Sequence, residues 1–405
     1  LKRIKMLDIN ILDKIKEIRT PFYLYDMELL ENTVREVVRL SEKYGMEVHY
    51  AVKANANARI LDCIASHGLG ADCVSGNEVL FALERGFPAG KIAFSGVGKT
   101  DWEIEAAVRN GIFSLNCESL PEIEVVDSIA RKLNTRAGIF VRINPNIDAH
   151  THKYITTGLE ENKFGVSEHE FDALADLLQR CEHLDFKGLH FHIGSQILDV
   201  EDVYATECSR VRDIVSYFEG KGLRIAHVDL GGGLGVDYTD PDSRPVPDFE
   251  TWFRTLAEGL RTDSGHAPSY RLHVEPGRSI VAQCGTLVTR LIYVKHGADK
   301  TFLITDAGMN DLIRPALYGA YHKVENLSAL TRPGSAEKKY DVVGPVCESS
   351  DVWGEGRILP ESFRGDLMAI RSAGAYGQVM ASRYNMRDLA PAVYYDGKGE
   401  ILEQY

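Results

Sequence analysis

The stretch Glu47-Val48-His49-Tyr50-Ala51-Val52-Lys53-Ala54-Asn55 alternates along most of its length. Alternation puts Val48, Tyr50 and Val52 on one face of a strand and His49, Ala51 and Lys53 on the other. The lysine stands at the strand end between Ala51 and Ala54, small residues that leave its amine room to reach a ligand. Such a lysine is either a solvated strand terminus or, where its ammonium is partly desolvated, an amine able to form a Schiff base. The ends of the later strands decide between the two.

Downstream of Lys53, strand-like and helix-like patterns alternate. Strands are expected at 48–53, 70–74, 92–95, 113–117, 139–143, 188–193, 227–230 and 271–275, with helical patterns such as 77–85, 101–110, 119–132, 168–180 and 200–218 between them. Eight strands separated by helix-sized pieces is the count of a closed (β/α)₈ barrel of TIM type. A doubly wound open sheet is the alternative, but it rarely needs eight parallel strands. After Gly277 the pattern changes to strands at 287–295, 301–306, 339–343 and 367–371, split by Gly/Pro-rich turns, which predicts a mainly β second domain. Upstream, a strand is expected at 22–25 and a helix at 28–44. The expected organisation is an N-terminal segment, 1–25, packing with the β-domain, a barrel over 26–277, and the β-domain over 278–405. The proline-rich stretch 238–249 reads as a loop.

The 405 residues exceed one small domain, and 44% hydrophobic with 26% charged residues is the composition of an ordinary globular protein. The net charge of −13, from 46 basic and 59 acidic residues, argues against nucleic acid or an anionic membrane as partner. Seven scattered cysteines without a CxxC argue against a disulfide framework or zinc knuckle and favour a reducing cytoplasm. No apolar run approaches a membrane span. The start, Leu1-Lys2-Arg3-Ile4-Lys5-Met6, is charged, unlike a secretory leader, and Leu1 is not an initiator, so preceding residues are expected.

In a barrel of this kind the chemistry sits at the C-terminal ends of the strands. Those ends carry Lys53, Asp72, Arg142, His192 followed by Gly194-Ser195, the run Gly231-Gly232-Gly233, and Glu275. Both glycine-bearing loops let backbone N–H groups approach an anion. The Gly231-Gly232-Gly233 loop fails as a dinucleotide fingerprint, since G-x-G-x-x-G counted from Gly231 lands on Val236. His190 and His192 share a strand face and invite a metal reading, but Arg278 beside Glu275 is an awkward neighbour for a metal, and no metal is expected. The second domain adds three patches: 306–315 leading to Tyr318, Cys347 flanked by Glu348, and Tyr376 between glycines.

Taken together, YAVKANAN, KFGV, HFHIGSQ, VDLGGGLG, EPGR, DAGMNDLIRPALYGAYH, GPVCESSD and AGAYG, in this order, resemble the diaminopimelate decarboxylases, pyridoxal-phosphate enzymes of the alanine-racemase-like fold. The resemblance runs from about residue 20 to the C-terminus. It implies a homodimer with shared active sites and decarboxylation of meso-2,6-diaminopimelate to L-lysine through an external aldimine and a quinonoid. By the same resemblance Lys53 holds pyridoxal 5'-phosphate and Glu275 pairs with its pyridine nitrogen, keeping the ring a strong electron sink. Asp72 and Arg142 are expected among the cofactor contacts. His192 matches the imidazole stacked on the ring. Ser195, Gly232, Gly233, Gly277 and Arg278 match phosphate-side contacts.

Cys347 resembles the acid that protonates the reacting carbon, and Glu348 a substrate contact; both are implied to reach in from the partner subunit. A thiol suits that task because it gives up a proton nearer neutrality than a hydroxyl. Tyr376 matches a contact to cofactor and substrate. Arg278, Arg314 and Tyr318 match the substrate pocket, where two guanidinium groups can clamp a distal carboxylate. Relatives acting on ornithine or arginine resemble this pocket with acid in place of Arg314, and an arginine there repels a cationic tail. Decarboxylation of another basic amino acid such as carboxynorspermidine, a catalytically silent regulatory homologue and a metal-dependent hydrolase are the competing readings. The segment 146–163 is a candidate lid.

Overall fold

The computed structural model describes residues 7, 9–147, 163–262, 264–396 and 400–404. Residues 148–162, most of the expected lid, lie outside the described residues. The chain divides into two compact units, one of Val34–Gly235 with Asp248–Gly277 and the other of Leu1–Thr33, Val236–Pro247 and Arg278–Tyr405.

Helix α1 (Ile9–Ile15), strand β1 (Phe22–Asp26) and helix α2 (Met27–Tyr44) open the chain. Eight strands follow: β2 (Met46–Ala51), β3 (Gly70–Cys73), β4 (Ile92–Phe94), β5 (Ser114–Cys117), β6 (Ala137–Arg142), β7 (Leu184–His190), β8 (His227–Asp229) and β9 (Arg271–Val274). They close in that order into a parallel barrel, β9 pairing back onto β2. Between them run α3 (Ala58–Ser66), α4 (Gly76–Glu84), α5 (Asp101–Arg109), α6 (Leu120–Lys132), α7 (Phe171–Arg180), α8 (Val200–Gly220) and α9 (Phe249–Gly259). Local chemistry sets the helix starts. Ser75 and Ser119 side chains accept hydrogen bonds from the amides of Glu78 and Glu122, and Thr100 with Glu103 forms a capping box. Each such cap stabilises its helix by about 1 kcal/mol.

The barrel floor is filled by aromatic rings. His49, His227 and His273 pack with Phe113 and Phe140, Phe113 stacking on His273 at 5.3 Å between centroids and on His49 at 5.9 Å. The imidazoles form a string: His49 Nδ1 meets the carbonyl oxygen of Lys91 at 3.0 Å, His49 Nε2 meets His273 Nδ1 at 2.9 Å, and His273 Nε2 meets His227 Nδ1 at 2.9 Å. The Lys91 carbonyl can only accept, so the Nδ1 of all three rings carries the proton when the rings are neutral.

The second unit holds a nine-stranded sheet. It adds α10 (Arg278–Val281), β10 (Gly285–His296), β11 (Thr301–Thr305), α11 (Arg314–Tyr318), β12 (Val324–Asn326), β13 (Glu337–Val343), β14 (Val352–Pro360), β15 (Leu367–Ile370), β16 (Ala392–Tyr395) and β17 (Ile401–Gln404). The main path is β14-β13-β11-β10-β1-β16-β17, with β15 pairing β10 and β12. Leu7, Ile11, Leu12 and Ile15 pack against Phe22, Leu24, Val288, Leu327, Leu367, Ala369, Val393 and Tyr395 in one apolar cluster. Each large side chain so buried contributes about 1.5–3 kcal/mol. Residues 26–33 and 236–247, which the expected boundaries assign to the barrel, group with the sheet instead. Ion pairs explain the second stretch: the fully buried Arg371 binds Asp242 at 2.7 Å and Glu325 at 2.6 Å. Among the described residues no helix is long and apolar enough to cross a membrane.

Candidate active site

Lys53 lies just past its strand rather than in it. Strand β2 ends at Ala51, and Val52–Ala54 form a single 3-10 turn that lifts the lysine over the rim. Its Nζ pairs with Asp72 Oδ2 at 3.2 Å, the lysine side chain 36% exposed and the aspartate wholly buried. Burial, then the negative charge of Glu275, raises the pKa of Asp72, while Lys53 and His190 oppose the rise.

Glu275 follows β9 and is buried. Its Oε2 stands 3.1 Å from His190 Nε2, and Asn116 Nδ2 donates to its Oε1 at a long 3.5 Å. Asn116 is itself held by Ser114 Oγ at 2.9 Å and Ser95 Oγ at 3.0 Å. Burial opposes the charge on Glu275, but His190 and Lys53 outweigh it and hold the carboxyl well below its ordinary pKa. Asp229 is pushed the other way, by burial and then by Glu275, although Gly231 N donates to its Oδ1 at 2.9 Å. Ligand atoms of His190, Asp229 and Glu275 lie within 4.8 Å of one another, the one such cluster among the described residues. A carboxyl held towards its protonated form is a poor metal ligand.

His192 also sits beyond its strand. Gly232 N donates to its Nδ1 at 3.2 Å, which leaves the ring proton on Nε2. Burial, then the cations of Arg142 and Lys53, keeps this imidazole neutral. The glycine loop approaches other backbone closely. A Cβ on Gly232 would stand 2.3 Å from the Glu275 carbonyl oxygen, and one on Gly233, at φ +107°, 2.7 Å from the Gly194 carbonyl oxygen. Ser195 is half-buried in the β7–α8 loop. Gly277 backs onto the lysine turn, where a Cβ would meet Ala51 Cβ at 2.9 Å. Arg142 ends β6, bound to Glu118 Oε1 at 3.3 Å and over the Phe164 ring at 4.7 Å. Glu118 also accepts from the amides of Gly96 and Gly165. Arg142 Nη2 is buried with no hydrogen-bond partner among the described residues.

A second group lies in the sheet-bearing unit. Arg278 and Arg314 are both buried and meet at Tyr238. Arg278 Nη1 donates to Tyr238 Oη at 2.7 Å, and the Arg314 guanidinium lies over the Tyr238 ring at 4.8 Å. Arg278 also covers the Tyr376 ring at 4.8 Å, and Tyr376 adopts φ +55°, a left-handed conformation uncommon for a bulky residue. Tyr318 ends the short α11 that Arg314 begins and is half-buried. Cys347 and Glu348 stand on an exposed turn after β13, where Tyr384 Oη donates to Glu348 Oε1 at 2.6 Å.

The barrel thus gathers Lys53, Asp72, His192 and Glu275 with the glycine loop, and the other unit gathers Arg278, Arg314 and Tyr376. The sequence reading did not assign His190, Asp229, Asn116, Glu118 or Tyr238. His190 and Asp229 lie inside motifs already quoted, whereas the single residues Asn116, Glu118 and Tyr238 carry no spacing signal.

A catalytic (β/α)₈ barrel with a rim lysine, a buried carboxylate and a glycine loop is the arrangement of a pyridoxal-dependent enzyme, and residues 30–282 match the family model "Pyridoxal-dependent decarboxylase, pyridoxal binding domain". The chain is 50% identical over 379 residues to the diaminopimelate decarboxylase of Bacteroides thetaiotaomicron, covering 93% of this chain and 96% of that one. The crystal structure of Helicobacter pylori diaminopimelate decarboxylase complexed with L-lysine superposes with a TM-score of 0.88 at 38% identity, over 97% of this chain and 95% of that one. The M. jannaschii diaminopimelate decarboxylase in co-complex with L-lysine gives 0.86 at 34%, over 97% and 91%. The chain belongs to the diaminopimelate decarboxylase family of pyridoxal-dependent amino-acid decarboxylases.

Proposed function

We propose that the chain removes CO₂ from meso-2,6-diaminopimelate to leave L-lysine, working as a cytoplasmic homodimer with pyridoxal 5'-phosphate on Lys53. The observation that carries the choice of substrate is the pair of buried guanidinium groups, Arg278 and Arg314, joined through Tyr238. A buried cation pair suits a carboxylate that takes no part in the reaction, and it repels a purely cationic tail. L-Lysine keeps that distal carboxylate. The reducing location is supported by the seven free cysteines.

The barrel residues fit the cofactor. The half-buried Lys53 amine, held by Asp72, would take its aldehyde carbon. The Gly231–Gly233 loop, too tight for any Cβ at Gly232, with Ser195 and Gly277, would receive its phosphate. The Glu275 carboxylate would hold a proton on the ring nitrogen, and neutral His192 would lie against the ring without adding charge. The orphaned Arg142 Nη2 has a donor to offer a ring oxygen. When bound, pyridoxal phosphate supplies the electron sink for the pair left as the C–CO₂ bond breaks. Cys347 Sγ would then deliver a proton to that carbon, and Glu348 and Tyr376 would hold the substrate. The exposed setting of Cys347 and Glu348 supports their serving a partner subunit's site.

Product analysis tests the reading. Incubation with meso-diaminopimelate and pyridoxal phosphate should yield equimolar L-lysine and CO₂, with ornithine and carboxynorspermidine turned over far more slowly. Faster turnover of either would overturn it.

A further inference from the structure

Tyr238 stands on the stretch 236–247, three residues past the motif that ends at Gly235, and both its hydroxyl and its ring face are engaged by arginines. Its hydroxyl accepts from Arg278 Nη1 at 2.7 Å, and its ring face lies under the Arg314 guanidinium at 4.8 Å. His322 meets the same ring edge-on at 5.0 Å. The far side of Arg314 is held as well, its Nη1 donating to His322 Nε2 at 2.8 Å while His322 Nδ1 donates to the Arg371 carbonyl oxygen at 2.8 Å. That pattern requires a neutral His322, and burial followed by the charge of Arg314 pushes its pKa down to about 3. The stretch is anchored in turn, since Arg371 grips Asp242 at 2.7 Å.

Two buried guanidinium groups so close repel one another. Among the described residues no carboxylate lies within ion-pair distance of Arg314. An aromatic ring with an acceptor oxygen meets both needs: its edge takes a hydrogen bond from one cation and its face attracts the other. We infer that Tyr238 is a positioning residue that holds Arg278 and Arg314 in the spacing that reads the substrate's distal carboxylate. The inference deepens the proposed function and rests on it. Tyr238 acts through the arginines and has no role at the reacting carbon.

The test compares two ligands differing by that one carboxylate, L-lysine and 1,5-diaminopentane, as inhibitors of the holoenzyme. Wild-type protein should bind L-lysine more tightly; if it shows no preference, the carboxylate-reading function itself falls. Given that preference, Tyr238→Phe should weaken L-lysine roughly tenfold, the loss of one hydrogen bond to a charged group, and leave diaminopentane unchanged. For meso-diaminopimelate it should raise KM with little change in kcat. An unchanged L-lysine affinity, or an equal loss for both ligands, overturns the inference. Tyr238→Gln keeps an acceptor oxygen and removes the ring, so the same selective loss is expected from it, and it decides the matter should the phenylalanine variant not fold.

Discussion

Glu275 Oε2 lies 3.1 Å from His190 Nε2, both side chains sealed inside the barrel. The pairing keeps a buried carboxylate charged where burial alone would protonate it. If that charge is what favours a protonated ring nitrogen, Glu275→Gln should fold normally, bind cofactor and lose turnover by about a hundredfold, the usual scale for a lost electrostatic stabiliser. Steady-state kinetics with cofactor-saturated protein measures this; a loss below a few-fold would remove Glu275 from the chemistry.

Lys53 and Asp72 form the second pair at the rim. Borohydride reduction of the wild-type holoenzyme should fix the pyridoxyl group on Lys53, read by mass spectrometry of the peptide. Lys53→Ala should show neither the label nor CO₂ release. A label on another lysine would displace Lys53 from its assigned place.

Cys347 is the one exposed cysteine of the seven. Cys347→Ala should retain the bound-cofactor absorbance and lose turnover by about a hundred- to ten-thousandfold, the range for a positioned proton donor. Full activity in the variant would mean that another group protonates the carbon.

Glu207, in the middle of α8, is wholly buried, and neither carboxylate oxygen has a hydrogen-bond partner among the described residues. Burial raises its pKa well above the ordinary value. The folded state then binds a proton that the unfolded state, with a glutamate pKa of about 4.3, gives up. Below that value both states are protonated and Glu207 adds no pH dependence; as pH rises above it towards the folded pKa, stability falls. Glu207→Gln should therefore melt like the wild type near pH 4 and be more stable by about 1–3 kcal/mol at pH 8. Parallel melting curves across pH would refute the assignment.

The eight barrel strands were legible in the sequence because short β-rich runs recur between helical patterns with clear caps, such as Ser119 ahead of α6. In the sheet, β12, β14, β16 and β17 escaped, β12 being only three residues long and β17 four. Val352–Pro360 contains Gly354 and Gly356 and ends in proline, which breaks the alternation, and Ala392–Tyr395 is only four residues long. The rim residues of the candidate site were visible because they end strands or stand in glycine-rich motifs. Tyr238 was not, because its partners lie 40 and 76 positions away and only the folded chain brings them to it. The same holds for the Asn116 contact to Glu275, 159 residues distant.

The imidazole string under the barrel has a direction. Each of His49, His273 and His227 gives its one proton towards Lys91, and His49 and His273 each take the next ring's proton on Nε2. A further proton on His49 or His273 would place two donors face to face, so acid breaks the string from within. Burial depresses both pKa values, so their contribution is complete above about pH 6.5 and drains away as the medium acidifies below it. Acid should therefore loosen this molecule at its base, at the end of the barrel remote from the catalytic rim.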